Sequence, residues 1–232
     1  MTGLLASVRN LEEAAMVLAA GVDIIDLKQP ASGALGALPL DLVSQIVAMI
    51  DGKCPISATI GDLPMHPETV LNAAIALAAT GVDYIKIGFF PGGDWPETIV
   101  KLSTLAQQNR ALIAVLFADT PIDLAIVDSL KDAGFKGMML DTMNKNNGAI
   151  TQIMTQTDLA AFVRRAKSQQ LLCGLAGSLR LKDIPALLIH QPDYLGFRGA
   201  LCLQHKRTSA LSQHALAEVK RAINAEQLLF AT

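Results

Sequence analysis

Two joints constrain this chain more than any other feature: Leu18-Ala-Ala-Gly21-Val-Asp-Ile-Ile25 and its echo Leu77-Ala-Ala-Thr-Gly81-Val-Asp-Tyr-Ile85. Each ends a helical stretch in small residues, stops it at a glycine and starts an apolar run with the period-two alternation of a strand. Ala133-Gly134-Phe135 partly repeats the pattern. Any α/β chain reuses such joints, so the echo alone does not separate true repeats from a common solution. Short strands are expected at 4–8, 22–28, 55–60, 82–88, 111–117, 136–141, 171–174 and 193–198. Helices are expected between them at 11–20, 40–50, 67–79, 95–108, 121–133, 157–168 and 179–189, with a last one at 209–224. Proline at the first turn supports the starts at Pro67 and Pro121.

Eight strand–helix units in 232 residues is the count for one α/β domain, a (β/α)8 TIM barrel spanning 1–232. The competing open, doubly wound sheet would usually carry a G-x-G-x-x-G turn after its first strand, and this chain has none. A 51% hydrophobic content with only 17% charged residues suits a parallel sheet buried on both faces.

Several function classes are excluded by the same composition. A net charge of −2 offers no basic field for nucleic acid or anionic lipid, and no apolar run reaches the ~18 residues of a membrane helix. Cys54, Cys173 and Cys202 are odd in number and widely spaced, which argues against a disulfide framework or structural zinc. With no secretory segment at Met1–Arg9, the expected setting is cytoplasmic. The expected partner is a small phosphorylated molecule. The apolar Leu228-Leu229-Phe230 could cover the barrel bottom or meet another subunit, and a homo-oligomer is the expectation.

Chemistry is expected at the C-terminal rim of such a sheet. In the second strand Ile24, Asp26 and Lys28 share one face, and Pro30 ends the strand just beyond. In Asp83-Tyr-Ile-Lys86-Ile-Gly88 the two isoleucines claim the helix side and force Lys86 inward. Burial favours the neutral form of an amine, and neutral amines attack carbonyls, so two inward lysines suggest Schiff-base chemistry. The alternative is that they are structural partners of Asp26 and Asp141. Asp141-Thr-Met-Asn-Lys145 has the four-residue spacing that returns Lys145 over Asp141 if the loop makes one turn.

Two glycine-rich loops point to phosphate. Gly174-Leu-Ala176-Gly177-Ser178 is expected to open a helix, and Gly196-Phe-Arg198-Gly199-Ala200 adds a guanidinium on the adjacent strand. His66, His190, His205 and His214 avoid the strand ends and lack metal-ligand spacing, so neither a metal nor another cofactor is expected.

Read together, Asp26-Leu-Lys28-Gln-Pro-Ala-Ser-Gly33-Ala-Leu-Gly36-Ala, Ile56-Ser-Ala-Thr-Ile-Gly61-Asp62, Tyr84-Ile-Lys86-Ile-Gly88, Asp141-Thr142 with Lys145, and the two glycine loops resemble the (5-formylfuran-3-yl)methyl phosphate synthases, also called 4-(hydroxymethyl)-2-furancarboxaldehyde-phosphate synthases. The chain departs from that pattern at Ala34, where Ser is expected, and around Lys145 at Met143-Asn144 and Asn146-Asn147. The resemblance implies a barrel enzyme joining two glyceraldehyde 3-phosphates, with loss of phosphate and water, into the furan aldehyde phosphate of methanofuran or methylofuran synthesis. It also implies Lys28 as the Schiff-base amine. Lys86, Lys145, Asp26 and Asp141 would be acid/base and charge-positioning groups, and the glycine loops would hold a triose phosphate. A different sugar-phosphate aldolase or epimerase, or a non-catalytic phosphometabolite binder, shares the same residue pattern.

Overall fold

In the computed structural model, which describes residues 1–230 apart from the side chains of Leu229 and Phe230, eight parallel strands close into a barrel. They are β1 (Gly3–Val8), β2 (Ile24–Leu27), β3 (Ile56–Thr59), β4 (Tyr84–Gly88), β5 (Ala111–Phe117), β6 (Gly137–Asp141), β7 (Leu172–Leu175) and β8 (Tyr194–Phe197). Each strand pairs with its successor in the chain, and β8 closes on β1 through Ala6 opposite Phe197. The helices α1 (Leu11–Ala19), α2 (Leu40–Ile50), α3 (Pro67–Ala78), α4 (Trp95–Ala106) and α5 (Ile126–Asp132) follow the first five strands. After β6 come a single turn, α6 (Ile150–Ile153), and α7 (Gln156–Ser168); α8 (Ile184–Leu188) and α9 (Gln213–Phe230) complete the ring.

Alternation divides the core into two shells. Ile25, Leu27, Ile85 and Ile87 face outward and pack against the helices, whereas Leu5, Ile113, Val115, Phe117, Met139 and Tyr194 fill the lumen. The loop after β2 inserts Ala34 and Leu35 into that inner cluster. Asp62 holds the insertion by accepting the Ala34 and Leu35 N–H groups at 2.7 and 2.6 Å. Gly33 makes the approach possible, because its φ is +90° and a Cβ there would lie 2.0 Å from Asp62 Oδ2.

Three helix starts differ from the sequence expectation, each for a local reason. Thr120 does not cap a helix at Pro121; its hydroxyl donates to Phe117 O, and Asp123 accepts the Ala125 N–H in a turn that delays α5 to Ile126. The helix expected from 179 fails because Pro185 would sit in its interior without a donor; a 3-10 turn at Leu181–Asp183 comes first, and α8 begins with Pro185 in its opening turn. The last helix starts at Gln213, since Leu211 instead bridges to Cys202. Among the described residues, no helix is long and apolar enough to cross a membrane.

Candidate active site

The strand register supplies Asp26 with its first partners. Ser7 on β1 and Ser57 on β3 lie directly opposite it. Asp26 Oδ2 accepts the Ser7 hydroxyl at 2.7 Å, and Oδ1 accepts the Ser57 hydroxyl at 2.7 Å and the Lys86 amine at 2.9 Å. Lys86 is only 2% exposed and Asp26 1%, so this ion pair is largely withdrawn from water at the foot of the cavity. Burial opposes charge on Asp26, but the Lys86 and Lys28 charges, with the hydrogen bonds from Lys86 and Ser57, hold its carboxyl below the ordinary value.

Above this pair sits a second cluster. Asp141 ends β6, and its Oδ2 accepts Lys28 Nζ at 3.2 Å while Oδ1 accepts Lys145 Nζ at 2.5 Å and the Thr142 N–H at 2.8 Å. Lys145 also donates to Thr142 O and to Thr142 Oγ1, so its three N–H bonds are all engaged. The chain after Asp141 does turn back to bring Lys145 over it. Asp119, on the loop after β5, holds that turn by accepting the Met143 and Asn144 N–H groups at 2.7 Å each.

Three ammonium groups thus face two carboxylates in the lumen. Burial by itself raises the Asp141 carboxyl, yet the Lys145 and Lys28 charges outweigh it and hold the group well below the ordinary range. Burial pushes the Lys145 amine down to about 8, Lys28 adds to that shift, and Asp141 opposes it. Lys145 is therefore a buried amine able to exchange a proton near neutral pH. Lys28 lines the cavity, and Asp141 is the acceptor of its amine, at the longest distance of the three lysine contacts.

The cavity above these groups measures about 230 Å³ and is bounded by the loops after β6, β7 and β8. Ala176, Gly177 and Ser178 line it as the sequence suggests. Gly177 needs its positive φ of +104° and its missing Cβ, which would stand 2.5 Å from Ile150 Cγ2. Gly199 also lines the cavity.

Other phosphate expectations are corrected. Gly174 lies below the cavity, where its missing side chain makes room for the Tyr194 ring; a Cβ would lie 2.2 Å from that ring. Ala200 is buried in the outer core rather than on the cavity wall. Arg198 reaches the cavity edge, but all five of its N–H bonds are committed: to Glu13 twice, and to the carbonyls of Ser7, Arg207 and Ser209. Its guanidinium ties β8 to the first turn of α1 and has no donor left for a ligand. The 3-10 turn and α8 begin beyond the glycine loop, so no helix opens directly at Ser178.

Several residues at the site were not among those expected from the sequence. Ser7 and Ser57 were legible there through strand alternation. Arg180 and Arg207 line the cavity from loops whose spacing carries no directional signal, and Arg207 donates to Gly33 O at 2.7 Å across the mouth. His205 also reaches the cavity wall, while His190 and His214 pair on the outside with Gln156 and Glu218.

The 4-HFC-P synthase family model matches residues 4–220. A Methylorubrum extorquens protein provisionally named (5-formylfuran-3-yl)methyl phosphate synthase is 44% identical over 96% of this chain and 92% of its own length. The Methanocaldococcus jannaschii (5-formylfuran-3-yl)methyl phosphate synthase is 34% identical over 86% of this chain and 89% of its own. Among solved structures, the 3-hexulose-6-phosphate synthase of Salmonella typhimurium superposes with a TM-score of 0.71 at 16% identity, covering 97% of this chain and 100% of that one. Phosphoribosyl anthranilate isomerase from Thermus thermophilus gives 0.66 at 15% identity, covering 99% and 100%. At these identities the two structures speak for the barrel alone. With the family model covering nearly the whole barrel and relatives above 30% identity along its length, the chain belongs to the (5-formylfuran-3-yl)methyl phosphate synthase (4-HFC-P synthase) family.

Proposed function

We propose that this chain condenses two molecules of glyceraldehyde 3-phosphate into (5-formylfuran-3-yl)methyl phosphate, with loss of phosphate and water, as a step toward a methanofuran-type cofactor. The observation that carries the reading is the sharing of Asp141 by Lys28 and Lys145 on the floor of a cavity walled by glycine loops. Two ammonium groups on one buried carboxylate leave an excess positive charge, which is relieved when one amine gives up its proton.

Lys28 is the nucleophile in this reading. Of the three lysines its amine is held at the longest distance, so it can leave its partner and reach a carbonyl in the cavity. The neutral Lys145 amine accepts the proton that Lys28 releases as its nitrogen bonds to the aldehyde carbon and water departs. Lys145 returns that proton to the imine nitrogen and, neutral again, takes the proton from the adjacent carbon; the resulting enamine forms the carbon–carbon bond to the second aldehyde. Loss of phosphate, ring closure and dehydration complete the furan. Lys86 and Asp26 lie one layer deeper and supply a fixed charge beneath the reacting nitrogen. Ala176, Gly177, Ser178 and Gly199 are the phosphate side of the cavity.

Incubation with glyceraldehyde 3-phosphate alone tests the activity: a furan chromophore in the near ultraviolet is expected. Borohydride added during turnover should leave a reduced adduct on Lys28, and an adduct on another lysine would overturn the assignment.

A further inference from the structure

We propose that Arg180, with the backbone N–H groups of Gly177, Ser178 and Gly199, binds a phosphomonoester group of the substrate. The inference rests on the substrate being a phosphorylated aldehyde, as proposed above, and identifies the side chain that holds it. Among the described residues, Arg180 Nη1 is the one buried side-chain nitrogen or oxygen without a hydrogen-bond partner. A buried donor on a charged group is rarely left unsatisfied, and such a group calls for an acceptor that is absent from the protein itself. Arg180 lines the cavity, and its Nη1 stands where a Gly199 side chain would have to go: a Cβ on Gly199 would lie 3.0 Å from it.

The backbone around this nitrogen is short of acceptors as well. Among the described residues, no carbonyl or side chain accepts the N–H of Gly177, Ser178 or Gly199. Ser178 and His205, which flank Arg180 on the two loops, adopt left-handed backbone conformations with φ of 51° and 56°. Non-glycine residues hold such conformations where the surroundings impose them, commonly at ligand sites. His205 is anchored in this position by its carbonyl, which accepts Arg180 Nη2 at 3.4 Å.

The other two cavity arginines are less suited. Among the described residues, Arg198 has no free donor, and Arg207, which gives one N–H to Gly33 O, has no buried donor left without a partner, as Arg180 has. A guanidinium presenting a free Nη1 beside three unpaired amides matches the several oxygens of a phosphomonoester dianion better than a single carboxylate.

Equilibrium binding of glycerol 3-phosphate, which has no aldehyde and cannot form an imine, isolates this site. The wild-type chain should bind it, and R180Q should bind it at least about tenfold more weakly. R180K keeps the charge but loses the fork geometry, and should fall between them. That variant also serves if R180Q does not give a wild-type thermal unfolding curve. Binding by folded R180Q and R180K within about twofold of wild type, or no binding by wild type, would falsify the assignment. The two readings fail separately. A chain that binds glycerol 3-phosphate through Arg180 but makes no furan chromophore retains the phosphate site and loses the condensation. Furan formation with an unchanged KM in R180Q does the reverse.

Discussion

Lys28 and Lys145 approach one carboxylate from opposite sides, Lys28 Nζ at Oδ2 of Asp141 and Lys145 Nζ at Oδ1. The two amines come from different parts of the barrel, one at the end of β2 and the other four residues past the end of β6. Their shared counter-ion separates a tightly held amine from a loosely held one.

Replacing Lys145 with Met removes the amine that exchanges protons while keeping its bulk. A loss in kcat of about 10²–10⁴-fold is expected, the range for removing a general acid/base. Borohydride trapping on Lys28 should persist at a slower rate, whereas K28A should abolish it. Mass spectrometry of both variants after trapping makes the comparison.

The pH profile follows from the Lys145 amine, which burial places at about 8. As a base it acts in the neutral form, so kcat/KM should rise with pH toward a plateau with its midpoint near that value. In D141N the carboxylate that raises the Lys145 value is gone, and the midpoint should move to lower pH. An unmoved midpoint would assign the limb to another group.

Acid stability follows from the two carboxylates. Both Asp26 and Asp141 are held below their unfolded value of 3.8, so the folded state binds fewer protons than the unfolded one as the pH falls through that region. Their contribution is fully present above about pH 4 and is lost as the pH drops toward their lowered folded values. Urea midpoints should decline over this interval in wild type and decline less steeply in D141N.

Asp26→Asn leaves the Lys86 ammonium buried without its counter-charge, at a cost of about 3–5 kcal/mol. The double variant D26N/K86M removes both charges and should recover much of that loss. Chemical denaturation of the single and double variants measures the difference. Equal destabilisation in both would mean that packing, not charge, dominates at this layer.

Asp119 touches no cavity group, yet it anchors the turn that carries Lys145. Asp119→Ala should lower kcat and broaden the rising limb of the pH profile, because Lys145 samples positions away from Asp141. Glycerol 3-phosphate binding and the thermal midpoint should be nearly unchanged, which a general loss of structure would not allow.

Patterns of short range were enough to place most of the lumen charges. Isoleucine on either side of Lys86 leaves that lysine only the inner face of β4, and the same alternation puts Asp26 and Lys28 together at the end of β2. The four-residue spacing from Asp141 to Lys145 needs one turn of chain and nothing more. Such relations are written in neighbouring residues, and the physics that decides them, burial of apolar side chains against the helices, is equally local.

Pairings across the barrel had no such signature. Lys28 meets Asp141 across 113 positions of sequence, and Arg198 is drawn away from the cavity by Glu13, 185 positions distant. Both outcomes require the closed ring that brings β1 beside β8 and β2 across from β6. The sequence alone therefore determined that lysines and aspartates line this barrel and that glycine loops rim it. Tertiary structure decided that Arg198 keeps no donor for a ligand, because a guanidinium turns toward whichever acceptors closure places within reach, and for Arg198 these were Glu13 and three carbonyls.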